Sequence, residues 1–298
     1  MTNGQLLNST AYFVDTGSRA DKAKSNLLNN AKVQHLKPYI GTVLENIQIS
    51  QLSKEGLNEL ALLVAERKLV VLRNQDFKDI RLVRQIEIAS HFGRLHKHPT
   101  GGHVKEHHEL LRNFFKEYLG NNRLSRIGWH SDISYEKQTP SATFFWILDQ
   151  PEVGGNTLFV SLVETYNRLS PQFQKRLEAE FSRARGASVR REPVETEHLI
   201  VRVHPVTGEK ALFINENFTQ HIAGLKDEES KALLGFLYDH IAKGANFQAR
   251  AVYKPGTLIL WDNRIVLHSG VPDFDSNIRR HAVRLSPQGE VPIPATTA

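Results

Sequence analysis

A mainly β fold with flanking helices is expected from three features of the sequence. Short runs rich in β-branched and aromatic residues recur at 142–148, 157–163, 199–203, 211–214, 247–253, 257–261 and 280–285, separated by turn residues. Helical periodicity is confined to a few stretches and does not alternate with the strands, which argues against a doubly wound sheet. No internal repeat or low-complexity linker divides the chain. Together these features suit an antiparallel double-sheet barrel, a jelly-roll or cupin-like double-stranded β-helix, with helices packed on one outer face.

Residues 1–37 are polar, poor in aromatics and without clear periodicity, and read as an irregular N-terminal arm. Residues 38–298 then form a single domain with lid insertions. Ser53 is a good N-cap for a helix that runs through Lys54, Glu55 and Gly56 into Leu57, Leu60, Leu62, Leu63 and Val64. Leu69-Val70-Val71-Leu72 reads as a short buried strand, and 79–91 returns to helical spacing. A helix is expected over 166–181, with Ser170-Pro171 starting its second part, and another over 230–241. The polar stretch around His107-His108-Glu109 reads as a helix or a lid. Residues 182–198 hold few apolar side chains, so they read either as a lid over the site or as an ordinary exposed loop.

The bulk numbers bound the function. At 298 residues and 40% hydrophobic content, the chain can bury a sizeable core. No apolar run approaches the length of a membrane span, and Met1-Thr2-Asn3-Gly4-Gln5 lacks the basic-then-apolar order of a secretory signal. A cytoplasmic protein without membrane attachment is the expectation. The absence of cysteine excludes disulfides and thiolate metal sites, leaving histidine and carboxylate as metal ligands. The net charge of +6 and pI near 9.4 raise the question of nucleic acid. However, the basic residues are scattered, and the densest group, Arg183, Arg185, Arg190 and Arg191, has no interleaved aromatics for base stacking. A basic surface that draws in small anionic substrates fits better.

The most informative motif is His130-Ser131-Asp132, followed far downstream by His268. Two imidazoles and one carboxylate are the facial ligand set of non-haem Fe(II), which leaves adjacent coordination positions open. With 14 histidines in the chain, a His-x-Asp pair alone is weak and is more often a surface turn; His107-His108-Glu109 is a decoy of the same kind. Context raises its weight. Trp129 precedes the pair and a β-prone run, 142–148, follows, while His268 comes after a second run, 256–261, and the turn at Asp262-Asn263. Further on, Arg279-Arg280-His281-Ala282-Val283-Arg284 can grip carboxylates. On a strand Arg280, Ala282 and Arg284 project to one face, so two guanidiniums would line one cavity and suit two bound oxyanions. The alternative for either arginine is a pairing with a core carboxylate. Zinc also accepts two histidines and a carboxylate, which keeps a hydrolase open, as does a barrel that binds a ligand without catalysis.

Several ordered segments carry a resemblance. Phe92-Gly93-Arg94-Leu95-His96-Lys97-His98-Pro99, Trp129-His130-Ser131-Asp132, Gly154-Gly155-Asn156-Thr157-Leu158-Phe159, His204-Pro205-Val206-Thr207-Gly208, Phe218-Thr219-Gln220-His221-Ile222, Trp261-Asp262-Asn263-Arg264 and Arg279-Arg280 stand in family-like order. From about residue 38 to about 288 the chain resembles the Fe(II)/2-oxoglutarate-dependent dioxygenases of the taurine dioxygenase (TauD/TfdA) family, and its fungal sulfonate or taurine dioxygenase-like members most of all. The resemblance implies Fe(II), 2-oxoglutarate and O2 as cofactor and co-substrates, with succinate and CO2 as products. It implies His130, Asp132 and His268 as iron ligands, Thr157 as a hydroxyl on a 2-oxoglutarate carboxylate, and Arg280 as the partner of the distal carboxylate. Arg284 resembles the arginine that grips a substrate sulfonate, and His98 the histidine that helps hold it.

Two positions depart from the sulfonate-oxidiser pattern. Gly101 stands where a tyrosine is expected, and Arg126 where an asparagine is expected. These changes put taurine itself in doubt without touching the iron chemistry; Arg126 either holds a carboxylate of a different substrate or points to water. The implied function is oxidation of an aliphatic C–H bond of a small anionic substrate, with alkyl sulfonates as the leading class. The variant reading keeps the iron chemistry but takes an amino acid or other carboxylate in a tailoring pathway, by hydroxylation, desaturation or cyclisation. A zinc hydrolase would not need Arg280 and Thr157. Family members often associate, so a homo-oligomer is compatible with the resemblance, although no interface stripe is legible.

Overall fold

The computed structural model describes residues 14–98, 103–104, 106–114, 128–186, 193–274 and 279–295. Its helices are α1 (Ser25–Leu28), α2 (Lys54–Arg67), α3 (Leu82–Ser90), α4 (Leu162–Asn167), α5 (Pro171–Leu177) and α6 (Asp227–Ala242). Its strands up to the middle of the chain are β1 (Lys32–His35), β2 (Thr42–Glu45), β3 (Leu69–Leu72), β4 (His103–Val104), β5 (His107–Phe114), β6 (Ala142–Asp149) and β7 (Thr157–Ser161). The remainder are β8 (Phe181–Gly186), β9 (Val194–Leu199), β10 (Val201–Val203), β11 (Lys210–Leu212), β12 (Thr219–Ile222), β13 (Gln248–Ala251), β14 (Leu258–Asp262), β15 (Val266–Gly270), β16 (His281–Leu285) and β17 (Ile293–Pro294). The fold is thus mainly β with helices around it, as the run of short apolar segments predicts.

An eight-stranded sheet runs in the order β1-β2-β3-β14-β6-β16-β5-β4, antiparallel except where β2 meets β3. A three-stranded sheet, β13-β7-β15, carries the second half of the core. The inner strands of the large sheet read as continuous apolar runs because both of its faces are covered. Period-two alternation sorts their side chains. Val70, Leu72, Phe144, Trp146, Leu258, Leu260, Val283 and Leu285 join Leu57, Leu60, Leu63 and Val64 of α2 and Ile88 of α3 in one cluster. Leu69, Val71, Phe145, Ile259, Trp261 and Ala282 turn the other way and pack with Phe159, Val160, Ala249 and Leu267 of the smaller sheet. Leu162, Leu177, Leu234, Leu237 and Ile241, from α4, α5 and α6, belong to that second cluster. The helices therefore flank both sides of the core, not one outer face as expected.

Several local expectations hold and several change. Helix α2 begins where expected, with the Ser53 side chain accepting from the Gly56 amide, and ends at Lys68 in the left-handed region (φ +68°). The helix expected over 166–181 is two short helices followed by a strand. Ser161 caps α4, and Pro171, which has no amide proton to continue the ladder, opens α5. The stretch around His107 is strand β5, because β16 on one side and β4 on the other supply its backbone partners. Residues 14–37, read as part of an irregular arm, hold a 3-10 turn (Thr16–Arg19), α1 and β1. Every β1 residue is exposed at the sheet edge, so no apolar alternation marked that strand in the sequence. The described parts of 182–198 are the two arms of a hairpin, β8 and β9, paired from Phe181↔Leu199 to Gly186↔Val194. Among the described residues, no helix is long and apolar enough to cross a membrane.

Candidate active site

The two histidines are brought together by backbone pairing. His130 and His268 form an antiparallel bridge, His130 N to His268 O at 3.1 Å and His268 N to His130 O at 2.9 Å. Strand β15 in turn pairs with β7, which seats His268 opposite Phe159. The bridge leaves the two imidazoles side by side, with ring centres 4.3 Å apart. Asp132 follows two residues after His130 in a turn held across the molecule by Asn263. Asn263 Oδ1 accepts from the Asp132 amide (2.8 Å) and Asn263 Nδ2 donates to the Asp132 carbonyl (2.9 Å). The Ser131 hydroxyl donates to the Val266 carbonyl, and Ile133 adopts a left-handed conformation (φ +57°) that turns the chain away.

The ligand atoms converge. His130 Nε2 and His268 Nε2 each lie 3.9 Å from Asp132 Oδ1, and one ligand atom from each residue falls within 4.8 Å of the others. His130 Nδ1 is 2.9 Å from the Gly128 carbonyl and donates to it, so the Nε2 lone pair faces inward. Burial pushes the His268 imidazole down to about 3, with His130 adding to the shift, which keeps it neutral. Burial alone would raise the Asp132 carboxyl, but Arg284, then His268 and His130, outweigh it and hold it below the usual carboxylate range. Two imidazoles and an ionised carboxylate, without a thiolate, fit a divalent first-row metal. No other such cluster occurs among the described residues.

A cavity of about 100 Å³ opens beside this set, lined by Phe145, Thr157, Tyr253, Trp261, Arg280 and Arg284 together with both histidines. Arg280 is buried, and its Nε donates to the Gly155 carbonyl at 2.9 Å. Glycine suits position 155, where φ is +65° and a Cβ would press on Arg280 Cδ at 3.2 Å. Thr157 Oγ1 lies 2.7 Å from the Tyr253 hydroxyl. Arg280, Ala282 and Arg284 share the inward face, as period two requires: Arg280 and Arg284 both reach the cavity and Ala282 the core beside it.

Each expected site residue has a definite outcome. His130, Asp132, His268, Thr157, Arg280 and Arg284 meet at one place. The alternative pairing with a carboxylate is realised for Arg284, whose Nη1 makes an ion pair with Asp132 Oδ1. His98 is half-buried with its ring 6.4 Å from His96; it stays outside the cavity lining but adds to the depression of the Asp132 carboxyl. Arg126 and Gly101 lie outside the described residues. His107 and Glu109 are 3.4 Å apart on β5, outside the ligand cluster. The sequence reading assigned no role to Tyr253 or Asn263. Tyr253 continues the buried alternation of Ala249 and Ala251, which was the available signal. Asn263 lies in the Trp261-Asp262-Asn263-Arg264 segment but acts on backbone atoms 131 positions away in the sequence.

Comparison with known proteins agrees with this geometry. The model of the family described as taurine catabolism dioxygenase TauD, TfdA family matches residues 32–286. The alpha-ketoglutarate-dependent dioxygenase cnsM of Penicillium expansum is 44% identical over 303 residues, 94% of this chain and 84% of that protein. The alpha-ketoglutarate-dependent sulfonate dioxygenase of Saccharomyces cerevisiae is 40% identical, covering 94% of this chain and 74% of its own length. Among solved structures, a putative alpha-ketoglutarate-dependent taurine dioxygenase from Burkholderia xenovorans superimposes with a TM-score of 0.79 at 28% identity, over 89% of this chain and 95% of that one. This chain, with its converging histidines and aspartate, belongs to the taurine catabolism dioxygenase TauD/TfdA family.

Proposed function

We propose that the protein is an Fe(II)- and 2-oxoglutarate-dependent oxygenase that oxidises an aliphatic C–H bond of a small anionic substrate, with alkyl sulfonates as the leading class. The observation that carries this reading is the convergence of His130 Nε2, His268 Nε2 and Asp132 Oδ1 beside a cavity that also holds Thr157, Arg280 and Arg284. The sulfonate dioxygenase activity named for the yeast relative supports the substrate class. Bound iron supplies oxygen activation coupled to decarboxylation of 2-oxoglutarate to succinate and CO2. His130, Asp132 and His268 would hold the metal. Arg280 and Thr157 hold the distal carboxylate of the co-substrate, a buried guanidinium being the natural bidentate partner of a carboxylate. Arg284 and His98 receive the substrate's oxyanion. Phe145 and Trp261 exclude water from the cavity and so strengthen each of these contacts.

In this reading the two sheets that share the inner cluster are the halves of a double-stranded β-helix, and residues 38–298 are one domain whose large sheet is extended at its edge by β1 of the N-terminal segment. The hairpin β8–β9 is the lid candidate, since Ala184 and Val194 pack with Ile133, Tyr135 and Phe218 directly after the Asp132 turn. A cytoplasmic enzyme, alone or as a homo-oligomer, is the setting. The test is an anaerobic titration with Fe(II) and 2-oxoglutarate, followed by succinate release over a panel of taurine, longer alkyl sulfonates and aliphatic amino acids. A visible band on adding 2-oxoglutarate, absent in His268→Ala, with sulfite released from one sulfonate, is the expected result. Succinate stimulated only by amino acids would replace the substrate class, and no 2-oxoglutarate consumption with iron loaded would remove the oxygenase reading.

A further inference from the structure

The Thr157 hydroxyl is part of a row. Its oxygen is 2.7 Å from the Tyr253 hydroxyl, and Tyr253 stands against Arg280, whose Cζ lies 5.5 Å from the phenol ring centre. The Arg280 guanidinium thus places its positive charge beside the phenol. Tyr253 arrives there because the alternation of β13 continues past the strand: Ala249, Ala251 and Tyr253 are buried while Arg250 and Val252 are exposed. At 8% exposure the phenol is shielded from bulk water, and burial raises its pKa, so it keeps its proton.

Donor chemistry gives the row a direction. A guanidinium only donates, whereas a hydroxyl donates once and also accepts. With the Arg280 cation beside the phenol, the Tyr253 oxygen turns its lone pairs toward that charge and its proton to Thr157 Oγ1, and the Thr157 proton is directed on into the cavity that all three residues line. Each bond in such a chain polarises the next. We propose that Tyr253 is a positioning residue for the co-substrate: its hydroxyl turns the Thr157 proton toward the distal carboxylate of 2-oxoglutarate. This rests on the oxygenase reading above. Arg280 supplies the charge, Thr157 the contact, and Tyr253 the orientation of that contact.

The test is a double-mutant cycle with Tyr253→Phe, Thr157→Val and the pair. Binding to the Fe(II)-loaded protein is followed anaerobically by the visible band, for 2-oxoglutarate and, on the same samples, for 2-oxopentanoate, which has no distal carboxylate. Each single variant should bind 2-oxoglutarate roughly ten-fold more weakly, the scale of one hydrogen bond to a charged group, and the pair should bind no more weakly than the worse single variant. Affinity for 2-oxopentanoate should stay at the wild-type value. Unchanged 2-oxoglutarate affinity in Tyr253→Phe, additive losses in the pair, or an equal loss for both acids would overturn the proposal. Wild-type protein that fails to bind 2-oxoglutarate removes the oxygenase reading and the proposal with it. Normal wild-type binding beside an unaffected Tyr253→Phe removes the proposal alone.

Discussion

Both ends of the Asn263 side chain are committed to the backbone of Asp132, and Asn263 itself is fully buried. The position of the proposed iron ligand is therefore fixed by a residue that touches neither metal nor substrate. Partners that orient a ligand in this way typically change metal affinity by about 10–100-fold when lost. Asn263→Ala should weaken Fe(II) or Co(II) binding on that scale, read by metal titration, with the secondary structure unchanged by circular dichroism. The residues that meet at the candidate site were legible in the sequence through their side-chain chemistry: two imidazoles and one carboxylate, with two inward arginines beside them. Asn263 and Tyr253 were less legible because an amide or a phenol is ordinary until the residue opposite is known. Arg284 was legible as an inward cation, but its pairing with Asp132 depends on a turn that only the folded chain brings within reach.

At the level of elements, the hairpin β8–β9 shows what the pattern of residues hides. Its exposed arm alternates with Ser182, Ala184 and Gly186 facing inward, so small inward residues gave no apolar stripe. Gly186 is required by its neighbour: a Cβ there would lie 2.3 Å from the Tyr135 ring. Gly186→Ala should cost about 1–3 kcal/mol, the usual scale for overpacking, measured by urea unfolding. His198, on β9, is pushed down to about 4 by burial first and then by Arg202, and its ring lies edge-on to Phe213. An unfolded histidine titrates near 6.5, so between that value and about 4 the unfolded chain takes up the extra proton. The stability linked to neutral His198 is present above about pH 6.5 and is lost as pH falls toward 4. His198→Gln should therefore flatten the fall in melting temperature between pH 7 and pH 4.5. It should not abolish that fall, because His204 and His268 are shifted in the same direction. The helices, by contrast, announced themselves through Ser53 and Pro171, local signals that do not depend on a distant partner.

Across the whole molecule, a buried ion cluster joins segments that the sequence keeps far apart. Arg264 pairs with Asp262, with Glu290 near the last strand and with Asp15 in the N-terminal segment, while Arg202 pairs with the same Glu290. His204 completes it neutrally: its Nδ1 accepts from the Val206 and Thr207 amides, so its Nε2 proton goes to Asp262. Removing one member of a buried network strands the others without compensation. Arg264→Leu leaves Asp15 without its cation, and Asp262 and Glu290 with only His204 and Arg202, and should destabilise the fold by about 3–5 kcal/mol in urea denaturation. Nothing in the polar composition of residues 14–37 announced such an anchor. Charge clusters are read from sequence only when their members are neighbours, and Asp15 and Arg264 are 249 positions apart.

The His130–His268 bridge gives the metal a mechanical part as well as a chemical one. Asp132 and Asn263, next to that bridge, are 131 positions apart, so the proposed ligand set is assembled only after the intervening chain has closed into its sheets. A metal ion seated there acts as a rivet between segments that the sequence keeps far apart. Its binding free energy adds to that of the native state alone, since the unfolded chain has no preformed site to compete for the ion. Iron starvation would accordingly do more than switch the enzyme off. It would leave a looser protein, more open to proteases, and the amount of enzyme would fall together with its activity.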